Sequence, residues 1–187
     1  MDSMGNEGNL SCVKRALELD MGVFQISPFD KGGKLYRPSK DVALTIGKEM
    51  SPMEFAALYA WKLGGIHTTS VGVARPSDLD EIMSAAKTMA LGRKGQVDID
   101  KLIDDTVDRL NKQLVSKVGD EWVEKGLKNI PTCFDEPAQG IAIGHILWLH
   151  NLLTGYGMYE FCKDRYSSLE FTQWNHKKSY EENMKKM

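Results

Sequence analysis

The chain has 187 residues, a hydrophobic share of 42% and a charged share of 27%. That describes an ordinary soluble protein of one domain, two small ones at most, able to bury a core without disulfide or metal staples. The 24 Lys and Arg against 26 Asp and Glu leave a net charge of −2, which argues against a nucleic-acid binder, since such proteins carry a basic excess.

Cys12, Cys133 and Cys162 lie far apart and form no CxxC pair. They argue against a disulfide framework or zinc site and fit a reducing compartment. The segment from Met1 to Gly8 has no basic region followed by an apolar run, so it does not read as a secretory signal. The longest apolar-rich stretch, Ile141 to Leu153, contains His145, His150 and Asn151 and falls short of the ~20 residues that span a bilayer. The expectation is a soluble, cytoplasmic protein without membrane contact.

In chain order, Ser11 to Asp20 reads as a short helix with Val13, Ala16, Leu17 and, less regularly, Leu19 on its apolar side. Met21-Gly22 breaks it, and Val23 to Ser27 reads as a buried strand stopped by Pro28. Phe29 to Pro38 is a loop by its glycines and prolines. Ser51-Pro52-Met53-Glu54 predicts a helix start: Ser51 caps, Pro52 suits the first turn, and Glu54 sits at the capping-box position. This helix runs to about Leu63 and ends at Gly64-Gly65; Ile66 to Val71 follows as a second strand rich in β-branched residues. Gly72 to Arg75 turns the chain, and Pro76-Ser77-Asp78 opens a helix to about Leu91.

The order helix, strand, helix, strand, helix is the pattern of a parallel sheet covered by helices. From Val97 the pattern is helical only. Ile99, Leu102, Ile103, Val107, Leu110, Leu114 and Val118 recur at helical spacing up to Gly119. Asp120 to Lys125 adds a turn or two, and Asn129 to Gln139, with two prolines, is a loop. Ile141 to Leu153 and Met158 to Leu169 are further helices, and His176 to Met187 is a polar tail.

The chemical signals are sparse. GxGxxG, Walker, HExxH and GxSxG motifs are absent from the sequence. His145 and His150, five apart, are poorly spaced for a shared metal and read as packing or surface groups. Cys133 and Cys162 read as small apolar residues, and the four tryptophans as core or interface bulk. What stands out is that both strands end in a polar, glycine-bearing turn. The second, Gly72-Val73-Ala74-Arg75-Pro76-Ser77, leads into a helix N-terminus. Ligands of α/β folds bind outside the carboxyl ends of strands, and a helix N-terminus beside an arginine suits a phosphate as well as an ordinary cap.

Phe24 to Pro28 with Gly32-Gly33-Lys34-Leu35, then Ser51 to Ala56, then Gly72 through Asp78-Leu79-Asp80-Glu81, resemble in order and spacing the C-terminal part of aldo/keto reductases. Pro137 to Ile143 with Ile146 to Leu149, and Tyr156 to Phe161 with Lys163, Arg165, Tyr166 and Leu169, resemble the C-terminal extension of the predicted-oxidoreductase branch of that superfamily. The resemblance runs from about Val13 to Leu169.

It implies an α/β fold: the last two strands and helices of a (β/α)8 TIM barrel over 11–95, an all-helical extension over 96–170 and a polar tail over 171–187. Family barrels need ~250 residues. The catalytic Asp, Tyr, Lys and His of the family lie on earlier strands that this sequence does not contain, and Lys34 and Tyr36 are not at their positions. The resemblance therefore implies NAD(P)H-dependent carbonyl reduction for the family, and no turnover by this chain alone.

By the same resemblance Ser27, Phe29, Gly32 and Gly33 match the segment around the pyrophosphate and nicotinamide. Gly72, Val73, Ala74, Asp78 and Glu81 match the turn and helix that hold the adenosine and its 2′-phosphate. Ala74 stands where many relatives carry Arg or Ser, and Ile82 where many carry Asn, which leaves NADP and NAD both open. Arg75 is placed to supply the phosphate contact. Some relatives carry an iron–sulfur segment before the extension; with Cys133 alone, no cluster is expected. The partners expected are the dinucleotide, weakly bound, and either a missing N-terminal barrel half or a second copy joined through open strand edges. The alternative is a non-catalytic helical interaction module derived from that fold; a third reading is a full enzyme whose upstream coding segments are missing.

Overall fold

The computed structural model describes residues 8–26, 28–29, 34–123 and 143–173. The predicted loop at Asn129 to Gln139 and the tail from His176 lie outside them, as do Ser27, Gly32, Gly33 and Cys133. The described residues divide into two compact units, one within Glu7–Gln113 and one within Leu114–Met187.

The first unit begins with helix α1 (Gly8–Glu18) and strand β1 (Phe24–Gln25), then a 3-10 turn (Lys34–Tyr36) and helix α2 (Lys40–Ile46). Helix α3 (Pro52–Lys62), strand β2 (Thr68–Thr69) and helix α4 (Asp78–Arg93) follow, and helix α5 (Ile99–Val118) carries the chain past the unit boundary. The second unit holds a short helical turn at 120–123, helix α6 (Ile143–Tyr156) and helix α7 (Tyr159–Gln173).

The expectation of an α/β segment, the last two strands and helices of a (β/α)8 barrel over 11–95, is overturned. Among the described residues there are seven α-helices and two strands of two residues each, so the fold is mostly helical. β1 and β2 do pair in parallel, Phe24 beside Thr68 and Gln25 beside Thr69. A barrel wall needs each strand bonded on both sides and buried on both faces. Here Phe24 is 60% and Ile26 70% exposed. The core instead lies between helices. Met53, Ala57 and Leu58 of α3 and Ala85 of α4 are buried, and α3 packs against α4, α2 and the 3-10 turn. Each large apolar side chain so removed from water contributes about 1.5–3 kcal/mol, which two-residue strands with exposed side chains do not supply.

Local chemistry explains the helix ends. Ser51 Oγ accepts the Glu54 N–H at 3.1 Å while Glu54 accepts the Ser51 N–H at 2.7 Å, and Pro52 fills the first turn. Ser39 Oγ caps α2 by accepting the Val42 N–H. Asp98 Oδ1 accepts the Lys101 N–H at the start of α5. Helix α2, seven residues long, has only a turn or two of its own hydrogen bonds. Its last carbonyls are held from outside: Arg109 of α5 donates to Thr45 O at 3.1 Å and Ile46 O at 2.9 Å. Lys62 at the end of α3 ties to α5 as well, its Nζ 2.5 Å from Asp104 Oδ1 and 3.5 Å from Asp100 Oδ1.

α1 lies on a glycine. A Cβ at Gly65 would meet Leu17 Cδ1 at 2.6 Å, and its φ of +78° is one that side chains rarely adopt. In the second unit Trp148 of α6 meets Phe161 of α7 edge-on with ring centres 5.7 Å apart. Cys162 Sγ, buried, reaches Leu149 O at 3.4 Å. Trp122 Nε1 donates to Asn151 Oδ1 at 2.8 Å, which gives that buried amide a partner.

Candidate functional site

The turn after β2 is built around one carboxylate. Asp78, the first residue of α4, has no exposed surface. Its Oδ2 accepts the backbone N–H groups of Ala74 at 2.8 Å and Arg75 at 2.9 Å. Its Oδ1 accepts Nε of Arg75 at 2.9 Å and Nη2 at 2.7 Å. Burial by itself pushes this carboxyl up; the N–H groups of Arg75 and Ala74 and the guanidinium outweigh it, so Asp78 stays below the usual carboxylate range.

Several of the turn's backbone donors are therefore filled from within. The sequence suggested N–H groups open to a phosphate; Ala74 and Arg75 give theirs to Asp78, and the N–H groups of Asp78, Leu79 and Asp80 turn back to the carbonyls of Arg75, Pro76 and Ser77. Ser77 makes no side-chain cap. What remains for a ligand is the guanidinium. Arg75 has five N–H groups, gives two to Asp78 and keeps 47% of its side chain exposed.

A second cation stands nearby. The guanidinium carbons of Arg75 and Arg37 lie 5.2 and 5.5 Å from the centre of the Tyr36 ring. Glu81 closes the cluster, with Oε1 3.7 Å from Arg75 Nη2 and Oε2 accepting Ser51 Oγ–H at 2.5 Å. Two cations and two carboxylates balance, so the cluster offers directed N–H groups without an excess of positive charge.

Of the residues singled out from the sequence, Ala74, Arg75, Asp78 and Glu81 come together at this turn. Gly72 and Val73 are exposed beside them. Phe29 is 1% exposed, a core residue with no face toward a ligand. Tyr36 and Arg37 escaped sequence reading because a loop has no periodicity to place them. Ser51 was legible as a cap but not as a partner of a residue thirty positions on.

Among the described residues no three His, Cys, Asp or Glu side chains are grouped to hold a metal ion. No helix among them is long and apolar enough to cross a membrane. Elsewhere in the first unit, a cavity of about 630 Å³ runs beside β1, between α1 and α3, lined by apolar side chains that include Val23, Phe24 and Phe55. No family model matches the chain, and no curated protein or solved structure matches it either.

Proposed function

We propose that the chain is a non-catalytic, cofactor-holding segment related to the NAD(P)H-dependent oxidoreductases of aldo/keto reductase type, and that it engages the phosphate-bearing end of a dinucleotide through Arg75. The order of the sequence motifs supports the relationship. One geometric observation carries the binding role: Asp78 fixes the Arg75 guanidinium from one side while 47% of that side chain stays exposed, with Arg37 beside the same aromatic ring. A held guanidinium loses less freedom on binding than a free one, which favours capture of a planar or tetrahedral anion. With charges balanced around it and the N–H groups of Ala74 and Arg75 already given to Asp78, affinity is low, at a dissociation constant of roughly 0.1–1 mM.

Calorimetric titration with NADPH, NADH and inorganic phosphate tests the reading. NADPH binds saturably, and Arg75→Ala weakens it about tenfold, the loss of one charge-assisted contact. No saturable binding up to several times that concentration range sinks it. Aldehydes and ketones offered with NADPH are not reduced above a protein-free blank, since the chain has none of the family's catalytic residues. A second reading, a protein-interaction module, is favoured by the apolar cavity beside β1.

A further inference from the structure

His67 grips the residue before β1 with two different atoms. Its backbone N–H donates to Val23 O at 3.0 Å, and its ring Nδ1 accepts the Val23 N–H at 3.0 Å. A backbone N–H can only donate, so Nδ1 carries no proton and the ring is neutral, with its one proton on Nε2. A proton added to Nδ1 turns the acceptor into a donor and sets N–H against N–H. The other end of the strand pair is fastened without a titrating group. Ser70 N–H reaches Gln25 O at 2.8 Å, and Trp61 Nε1 donates to Thr69 Oγ1, which donates to Gln25 Oε1. Each strand is two residues long, so one bond is a large share of what holds the pair.

We propose that His67 is a proton-operated latch: the neutral ring holds Val23 on β2, and protonation frees the Val23 end of β1 while the Gln25 end stays bound. His67 is the one histidine between Glu7 and Gln113, so no other imidazole of this unit responds in the same pH range. The ionisable side chains on the neighbouring elements are Cys12, Lys14, Arg15 and Glu18 of α1, Asp20 after it, and Glu54, Tyr59 and Lys62 of α3. Arg15 pairs with Glu18, Lys62 with Asp104 and Asp100, and Glu54 accepts the Ser51 N–H. Among the described residues no carboxylate forms an ion pair with the ring. No opposite charge therefore replaces the lost bond when the ring is protonated. His67 is exposed, which puts the ring within reach of solvent protons. Val23 and Ile66, beside the latch, line the apolar cavity between α1 and α3, so low pH loosens the rim of that cavity.

Amide solvent exchange tests this, measured by NMR on the full chain at about pH 5 and about pH 8, values that bracket the ordinary imidazole range. Each rate is divided by the intrinsic rate at that pH. Protection of the Val23 and His67 amides is expected to fall about tenfold from the higher pH to the lower, as for a lost hydrogen bond. Ser70 and, within α3, Ala57 keep theirs. His67→Asn offers an acceptor oxygen without a titrating proton, and His67→Ala offers no acceptor. In both, the pH dependence at Val23 is expected to vanish, with His67→Ala at the low level throughout. Equal protection of Val23 at the two pH values in the wild type overturns the proposal. So does a fall that persists in either variant, a fall shared by Ser70, or an alanine variant as protected as the wild type at the higher pH. Far-UV circular dichroism reports whether each variant keeps its helices; if one loses them, the wild-type comparison of Val23 with Ser70 decides alone. Arg75 plays no part in this measurement, so its outcome is independent of the cofactor titration.

Discussion

Ser51 Oγ–H donates to Glu81 Oε2 at 2.5 Å while Ser51 Oγ accepts the Glu54 N–H at 3.1 Å. One hydroxyl thus closes the capping box of α3 and fastens that helix end to α4. A hydroxyl can serve both ways because it has one donor and two acceptor positions. Removing it therefore breaks two things. Ser51→Ala is expected to cost about 1 kcal/mol or somewhat more, the ordinary value of a lost cap plus the link. Glu81→Gln, which keeps an acceptor, costs less, and the double variant falls short of the sum. Urea unfolding curves of the four proteins check this; strict additivity counts against a working link.

Asp78 governs the acid side of stability. Its carboxyl lies below the usual range when folded, because donors from Arg75 and Ala74 outweigh burial. The unfolded chain therefore takes up the proton first as pH falls. The contribution is fully present above the unfolded carboxylate value of ~3.9 and is lost as pH falls through the lower, folded value. Asp78→Asn is expected to be less stable than wild type at neutral pH and to show a shallower loss below about pH 4. Thermal midpoints across pH 2–7 check it; parallel curves for the two proteins contradict the assignment.

Tyr156, at the end of α6, is 3% exposed, and burial pushes its phenol up to about 12. The unfolded phenol ionises near ~10. Stability from this group is thus complete below that value and is lost as pH rises toward the folded one. Tyr156 is expected to give a step above the ordinary phenol range in an ultraviolet titration at the tyrosinate band, and Tyr156→Phe removes that step.

The cysteines differ in reactivity. Cys12 is exposed on α1, whereas Cys162 is buried, reaches the Leu149 carbonyl, and has its thiol pushed up by burial. Brief alkylation of the native protein at neutral pH, read by peptide mass mapping, is expected to label Cys12 at least about tenfold faster than Cys162, since only the thiolate attacks and burial suppresses it. Equal rates mean that α6 and α7 separate readily. Partial urea denaturation should bring Cys162 up to the rate of Cys12 as these helices part.

Much of the local structure was legible. The capping box Ser51 to Glu54, the glycine stop after α3 and the apolar spacing from Ile99 to Val118 all mark helices that form. The strand segments were placed correctly but read too long. Val23 to Ser27 and Ile66 to Val71 reduce to two paired residues each, because β-branched composition favours extension without supplying a neighbour to bond. Helix α2 went unread: only Ser39 signals it, and its end depends on Arg109, more than sixty residues away.

The chain by itself determined where helices begin and end, since caps, glycines and apolar periodicity act over a few neighbouring residues. It also determined that a polar turn with Arg75 and Asp78 precedes α4. Tertiary contacts alone decided that the two strands stay a single pair outside any barrel, and that Arg109 closes the end of α2. Both outcomes turn on which groups meet across long stretches of chain. Such a meeting costs loop-closure entropy and gains burial or hydrogen bonds, and local composition specifies neither quantity.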